Sequence, residues 1–282
     1  MIISVITPVI NGIRFMEDCI LNVVSQECSS VEHIIIDGGS TDGTIQIVQK
    51  YAERYSHIHW ISEKDNGQSE AMNKGVAMSR GKILGFLNVD DFYEPNVLNR
   101  VIELFKDMPE PSLLVGNCNM WGENGEFIHL NEPKKLGFNE LLLGIDIYPM
   151  PVNPSAYFCH KSLHDKIGLY DIKEHYTLDW DFLLRAIQVA NAKYIDEIWG
   201  NFRLGKGTKT YEDIFAGKQK QRAAEVIKKY RQNLPFLQRI IVHTLGVVLN
   251  LPVISSLLYF ICKPDELPWR LKARIKRILK LA

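Results

Sequence analysis

Gly81-Lys82-Ile83-Leu84-Gly85-Phe86-Leu87-Asn88-Val89-Asp90-Asp91-Phe92-Tyr93-Glu94-Pro95 is the stretch whose reading decides the fold. Its apolar run, Ile83 to Val89, has the composition of a strand buried on both faces. The run ends in two adjacent carboxylates, Asp90 and Asp91, and Pro95 prevents further strand pairing. Neighbouring carboxylates at the edge of a buried strand repel each other and lose hydration. A hard cation, Mg²⁺ or Mn²⁺, shared with a phosphate relieves both penalties. Taken alone, the pair equally fits a turn that caps a helix starting near Asn96.

The flanking sequence repeats one unit. Ile2 to Thr7, Glu32 to Asp37 and Ile58 to Ser62 read as strands. Phe15 to Gln26, Ile45 to Tyr55 and Ser69 to Ser79 read as helices between them. Strands and helices alternating through short loops predict an α/β fold, a mainly parallel sheet flanked by helices. Ligands of such sheets bind beyond the carboxyl ends of the strands. Pro8, Asp37, Asp65 and Asp90 all fall at those ends and are expected to converge on one crevice.

After Pro111 the pattern loosens. Leu113 to Cys118 and Phe127 to Leu130 predict a hairpin around Asn124-Gly125. Further strands are expected at Ser155 to His160, Tyr194 to Trp199 and Asn201 to Leu204. Helices are expected at Asn139 to Leu143, Leu163 to Ile167, Asp179 to Ala190 and Glu212 to Gln232. We expect residues 1–110 and 111–232 to form the two halves of one domain, with 233–282 as a hydrophobic and basic C-terminal segment.

The formal net charge of the 282 residues is zero, so no global field attracts nucleic acid. From Lys263 onward, seven basic residues face only Asp265 and Glu266. Five scattered cysteines without a CxxC fit neither a disulfide framework nor a zinc site, and suit a reducing cytoplasm. The N-terminal residues enter a strand without a basic n-region, so no secretory signal is expected.

Six dispersed motifs then agree. VITPVIN (5–11), IIIDGGSTDGT (34–44), EKDNGQSEAMNKG (63–75), GKILGFLNVDD (81–91), NPSAYF (153–158) and LDWDFLLR (178–185) resemble family 2 glycosyltransferases of the GT-A fold, in order and spacing. The resemblance implies transfer of a sugar from a nucleotide-activated donor, with uridine favoured, to a glycan or lipid-linked acceptor, with inversion. It implies residues 1–110 as the nucleotide-sugar-binding half of the domain, residues 111–232 as the acceptor-binding half, and Asp90 and Asp91 as metal-binding residues. Asn88 stands where the family commonly has the first Asp of Asp-x-Asp, and is assigned to a ribose hydroxyl. Asp37 is assigned to the nucleobase in preference to an Asx cap in a glycine-rich turn, and the two roles are compatible. Pro8 and Val9 are expected to line the base pocket, with Asp65 and Asn73 as further donor-side positions. Asp179 aligns with the general base that takes the acceptor proton. Asp181, about 200° further around the same helix, is expected to cap or to pair with Arg185. Arg203 falls in a loop that closes over the donor in relatives, and Lys206 stands where many of them carry His.

Two other readings remain. A sugar nucleotidyltransferase also uses such a sheet with Mg²⁺, but opens with a glycine-rich, Arg-containing phosphate loop that TPVINGIRF (7–15) lacks. An inactive glycan-binding scaffold would be expected to lack the carboxylates at 90, 91 and 179. At the C-terminus, 240–262 is apolar but interrupted by His243, Asn250 and Pro252. Trp269 to Ala282 has the pattern of a basic amphipathic helix. Residues 234–282 are therefore expected to hold the protein peripherally on an anionic membrane, at the inner face of the cytoplasmic membrane. An oligomer is compatible with this pattern.

Overall fold

The computed structural model describes residues 2–144 and 148–249. Ile34 and Ile36 enter one apolar layer and Ile35 the other, the two-residue alternation of a strand covered on both faces. Around them the chain folds as β1 (Ile3–Val9), α1 (Met16–Val24), β2 (Val31–Asp37), α2 (Thr44–Arg54), β3 (Ile58–Ser62), α3 (Gln68–Met78) and β4 (Ile83–Phe86). Then follow β5 (Phe92–Tyr93), α4 (Val97–Phe105), β6 (Ser112–Trp121), β7 (Phe127–Asn131), α5 (Phe138–Leu141), β8 (Tyr157–His160) and α6 (Ser162–Ile167). The series ends with α7 (Leu178–Ile187), β9 (Asn191–Arg203), α8 (Lys209–Phe215), α9 (Gln219–Gln232) and α10 (Phe236–Leu249).

All nine strands join one sheet in the order β3-β2-β1-β4-β8-β6-β9-β5, with β7 paired to β6. The first four strands are parallel, as their helical crossovers require. Beyond β4 the sheet becomes mixed: β8 runs antiparallel to β4 and β6, and β5 antiparallel to β9. The sheet is continuous across residue 110.

On one face, α1 buries Met16, Cys19, Ile20 and Val23, and α4 buries Val97, Leu98, Val101 and Phe105. Both sets keep the three- and four-residue spacing of one helix stripe. Removing the fully enclosed ring in Phe105→Ala should cost about 3–5 kcal/mol. On the other face, Met72 and Val76 of α3 and Phe182 of α7 pack against Phe86 and Tyr157.

Two sequence expectations change. The helix expected over 212–232 is broken into α8 and α9 because Gly217 adopts φ +68, a left-handed turn that ends α8. The two extended segments expected between 194 and 204 form the single strand β9, which passes through Gly200. A Cβ at position 200 would lie 2.2 Å from Ser155 Oγ, so only glycine lets β9 run past this neighbour. Residues 240–249 belong to α10, whereas the remainder of 240–262 and the expected helix over 269–282 lie outside the described residues. Among the described residues, no helix is long and apolar enough to cross a membrane.

Candidate active site

Beyond β4 the Leu87 N–H still donates to Ile6 O at 3.0 Å, and Asp91 N–H then closes a turn onto Asn88 O at 3.0 Å. This turn gives the two carboxylates different surroundings. Asp91 is 3% exposed. Its Oδ2 accepts from Asn88 Nδ2 at 2.9 Å and Asn153 Nδ2 at 2.7 Å, and its Oδ1 accepts from the Arg203 N–H at 3.0 Å. Burial, and then the charge of Asp90, push the Asp91 carboxyl well above the usual carboxylate range against these donors. Asp90 is half-buried, and burial raises it as well, with Arg203 opposing. Among the described residues no side chain donates a hydrogen bond to Asp90, and it lines an open cleft of about 700 Å³.

Pro8, Val9, Asp65 and Asn88 share that cleft with Asp90. Asp65 is fixed by the Gly67 N–H at 2.9 Å and lies over Gly38, where a Cβ would come within 2.8 Å of Asp65 Oδ2. Asn88 has both ends of its amide engaged: it donates to Asp91 and accepts from Gln68 Nε2 at 2.9 Å.

Other expected donor residues sit elsewhere. Asp37 is fully buried and is not part of the cleft wall. Its Oδ2 accepts from the N–H groups of Gly39 and Ser40, both at 3.0 Å, and from Ser62 Oγ at 2.7 Å, while the Ser40 hydroxyl donates to Oδ1. That is the Asx cap of a glycine-rich turn. Asn73 spends its amide on the Tyr170 backbone, donating at 2.9 Å and accepting at 2.9 Å. The Arg203 guanidinium lies 5.0 Å from the Phe92 ring and 5.7 Å from the Phe15 ring, in a separate depression shared with Asp91. Lys206 is exposed and outside the cleft wall, to which Lys209 contributes instead.

A smaller pocket of about 110 Å³ adjoins the cleft and contains Asp179. Gln68, Asn88, His175, Tyr176, Phe202 and Lys209 line both cavities. Asp179 sits in the first turn of α7 and accepts from the Tyr157 hydroxyl at 2.6 Å. Burial raises its carboxyl to about 6, with the Tyr157 bond opposing. Asp181 turns away, as the helical angle requires. Burial would raise its carboxyl, but Lys229, Tyr230 and Arg185 together hold it below the usual range. The Arg185 pair is 2.8 Å long.

Sequence reasoning missed Gln68, Asn153 and Tyr157, although all three stand inside the quoted motifs. It also missed Lys209, which carries no motif signal. Among the described residues, no group of three or more His, Cys, Asp or Glu is arranged to hold a metal ion. The open carboxylate of Asp90, with Asp91 beside it, nevertheless fits a hard divalent cation such as Mg²⁺ or Mn²⁺.

Comparison with known proteins agrees with this geometry. A PGL/p-HBAD biosynthesis glycosyltransferase from Mycobacterium tuberculosis is 28% identical over 187 residues, 65% of this chain and 68% of its own. Chondroitin synthase of Escherichia coli is 26% identical over 71% of this chain, which spans 28% of the synthase. Among solved structures, S. aureus TarS 1-349 with UDP-GlcNAc superposes with a TM-score of 0.64 at 18% identity, over 86% of this chain and 70% of that one. The mannosyltransferase PcManGT from Pyrobaculum calidifontis, in complex with GDP-Man and Mn²⁺, gives 0.64 at 16% identity, over 99% and 80%. These neighbours show the mixed α/β GT-A fold. Residues 4–165, more than half of the sequence, match the model for "Glycosyl transferase family 2". With its carboxylates at the strand ends and its sheet in the GT-A arrangement, the chain belongs to glycosyl transferase family 2 and is a glycosyltransferase.

Proposed function

We propose that this enzyme moves a sugar from a nucleotide-sugar donor, UDP-activated by preference, to a hydroxyl of a glycan or lipid-linked acceptor, with inversion at the anomeric carbon. The observation that carries this reading is the division of labour between two adjoining cavities. The open carboxylate of Asp90 faces the larger one, and Asp179 faces the smaller. Pro8, Val9 and Asp65 would flank the nucleotide, and Lys209 would face its phosphates. Asp90 and Asp91 would hold Mg²⁺ or Mn²⁺, which when bound supplies positive charge to the departing diphosphate. Asp179 would accept the proton of the attacking hydroxyl from the opposite side, as single displacement requires. Asp37, Asn73 and Arg203 act at a distance in this reading, by holding turns and loops, and neither they nor the exposed Lys206 are part of the cleft wall. A thermal-shift panel of nucleotide sugars with Mn²⁺, followed by product analysis, tests it, since a true donor raises apparent stability by mass action. Stabilisation by no nucleotide sugar, or sugar-1-phosphate plus nucleoside triphosphate as the reacting pair, would overturn it.

We further propose that the protein works at an anionic membrane surface. α10 rests on the body through Val242 and Gly246. It turns Phe236, Leu237, Ile240, Ile241, Leu245, Val247 and Val248 outward, each between 39% and 73% exposed. An apolar face of this size needs a cover, and the basic sequence beyond Lys263 favours anionic lipid as that cover. Leu237→Glu with Ile241→Glu should abolish flotation with phosphatidylglycerol vesicles at low salt. Full-length protein that ignores such vesicles, or forms a dimer that they leave intact, would refute the membrane role.

A further inference from the structure

Among the described residues, Asp179 carries one hydrogen bond from another side chain, and its donor is closely packed. Tyr157 is fully buried on β8 and its ring stacks 6.2 Å from that of Phe182, which restricts its rotamers. Its hydroxyl reaches Asp179 Oδ1 at 2.6 Å, and Oδ2 accepts no hydrogen bond from the described residues. We propose that Tyr157 is the positioning residue for the general base: it pins Oδ1 and thereby presents Oδ2 to the acceptor hydroxyl. The inference rests on the reading of Asp179 as that base. In the step, the acceptor oxygen bonds to the anomeric carbon and its proton passes to Asp179 Oδ2. The anomeric carbon–oxygen bond to the diphosphate breaks, and its electron pair leaves with the nucleoside diphosphate.

The same bond also lowers the pH at which the base titrates. A hydroxyl that donates to a carboxylate favours the charged form, so Tyr157 offsets part of the burial that raises Asp179. The other groups around Asp179 are limited in number. Tyr170 lies on the segment before α7 and interacts electrostatically with Asp179. His175 and Lys209 line the shared walls, and Asp213 and Arg222 form an ion pair at 2.7 Å. On its own helix, Asp181 is paired with Arg185 at 2.8 Å.

The pH dependence of kcat with saturating donor and acceptor tests the proposal. Tyr157→Phe keeps the ring and loses only the hydroxyl. Its acid limb should move upward by about one pH unit, the loss expected for a hydrogen bond to a charged group. Replacing Tyr157 by 3-fluorotyrosine, a stronger donor, should move the limb downward. This second variant retains the hydroxyl and serves where Tyr157→Phe folds poorly. A limb that stays in place in a folded Tyr157 variant, or that follows His175→Gln instead, overturns the positioning role. Full activity in Asp179→Asn would instead overturn the base assignment itself, so the two failures are distinguishable.

Discussion

Asn88 Nδ2 donates to Asp91 Oδ2 across 2.9 Å, at the position where an Asp-x-Asp motif would place a second negative charge. The amide therefore stabilises the inward carboxylate without any cation. Asn88→Asp should remove that donor and add repulsion. Metal-free protein should then melt on the order of 5 °C lower, and Mn²⁺ should recover the loss. Equal melting temperatures without metal would show that the amide contributes nothing.

Asp90 and Asp91 should respond differently to the same substitution. Asp90→Asn faces the cleft, so transfer should fall on the order of 10²-fold or more with stability intact. Asp91→Asn turns an amide toward the donors of Asn88 and Asn153, so it should lose both activity and stability. Circular dichroism melts and initial rates on the two variants decide this, and undiminished turnover in excess EDTA would remove the metal from the mechanism.

Asp179 links activity to stability with opposite signs. Its carboxyl is raised from 3.8 to about 6, so the folded state keeps a proton that the unfolded chain has already released. Stability contributed by this group therefore falls as pH rises from about 4 to about 6, and stays reduced at neutral pH. With Asp179 as the proposed base, activity should need its ionised form and rise over the same window. Asp179→Asn should lose transfer by roughly 10²–10⁴ and gain relative stability as pH increases. The buried His33 and His164, lowered to about 3 and about 4, weaken the fold on the acid side in both proteins and cancel in the comparison. A stability difference that is constant with pH contradicts the linkage.

Gly38→Ala tests the placing of Asp65. The new Cβ would sit 2.8 Å from Asp65 Oδ2 and force that carboxylate out of the cleft wall. Donor affinity should weaken by about tenfold, measured by calorimetry with a nucleotide sugar, with little change in kcat. Unchanged affinity would show that Asp65 does not contact the donor.

The parallel half of the sheet was legible in the sequence because its strands are apolar on both faces and its helices carry clean stripes. The sequence placed β3 at Ile58–Ser62, the bounds the structure shows. The mixed half was less legible. Nothing local in Asn191–Arg203 announces one long strand, because Gly200 reads as a breaker until Ser155 is seen against it. At the site, Asp90 and Asp179 were named from motif position alone, and they line the two adjoining cavities. The closed network around Asp37, and the bracket from Asn73 to Tyr170, depend on partners 25 and 97 residues away that spacing does not reveal.

The amide that fixes Asp91 Oδ1 comes from Arg203, 112 residues later in the chain. During synthesis at about 5–20 residues per second, that partner follows on the order of ten seconds after the acidic pair. Asn88 and Asn153, both made earlier, can already hold Asp91 Oδ2, so it is the Oδ1 side of the acidic turn that waits for β9. Chains stalled on the ribosome before residue 191 should therefore bind nucleotide sugar more weakly than the complete protein, as filter binding on stalled complexes would show.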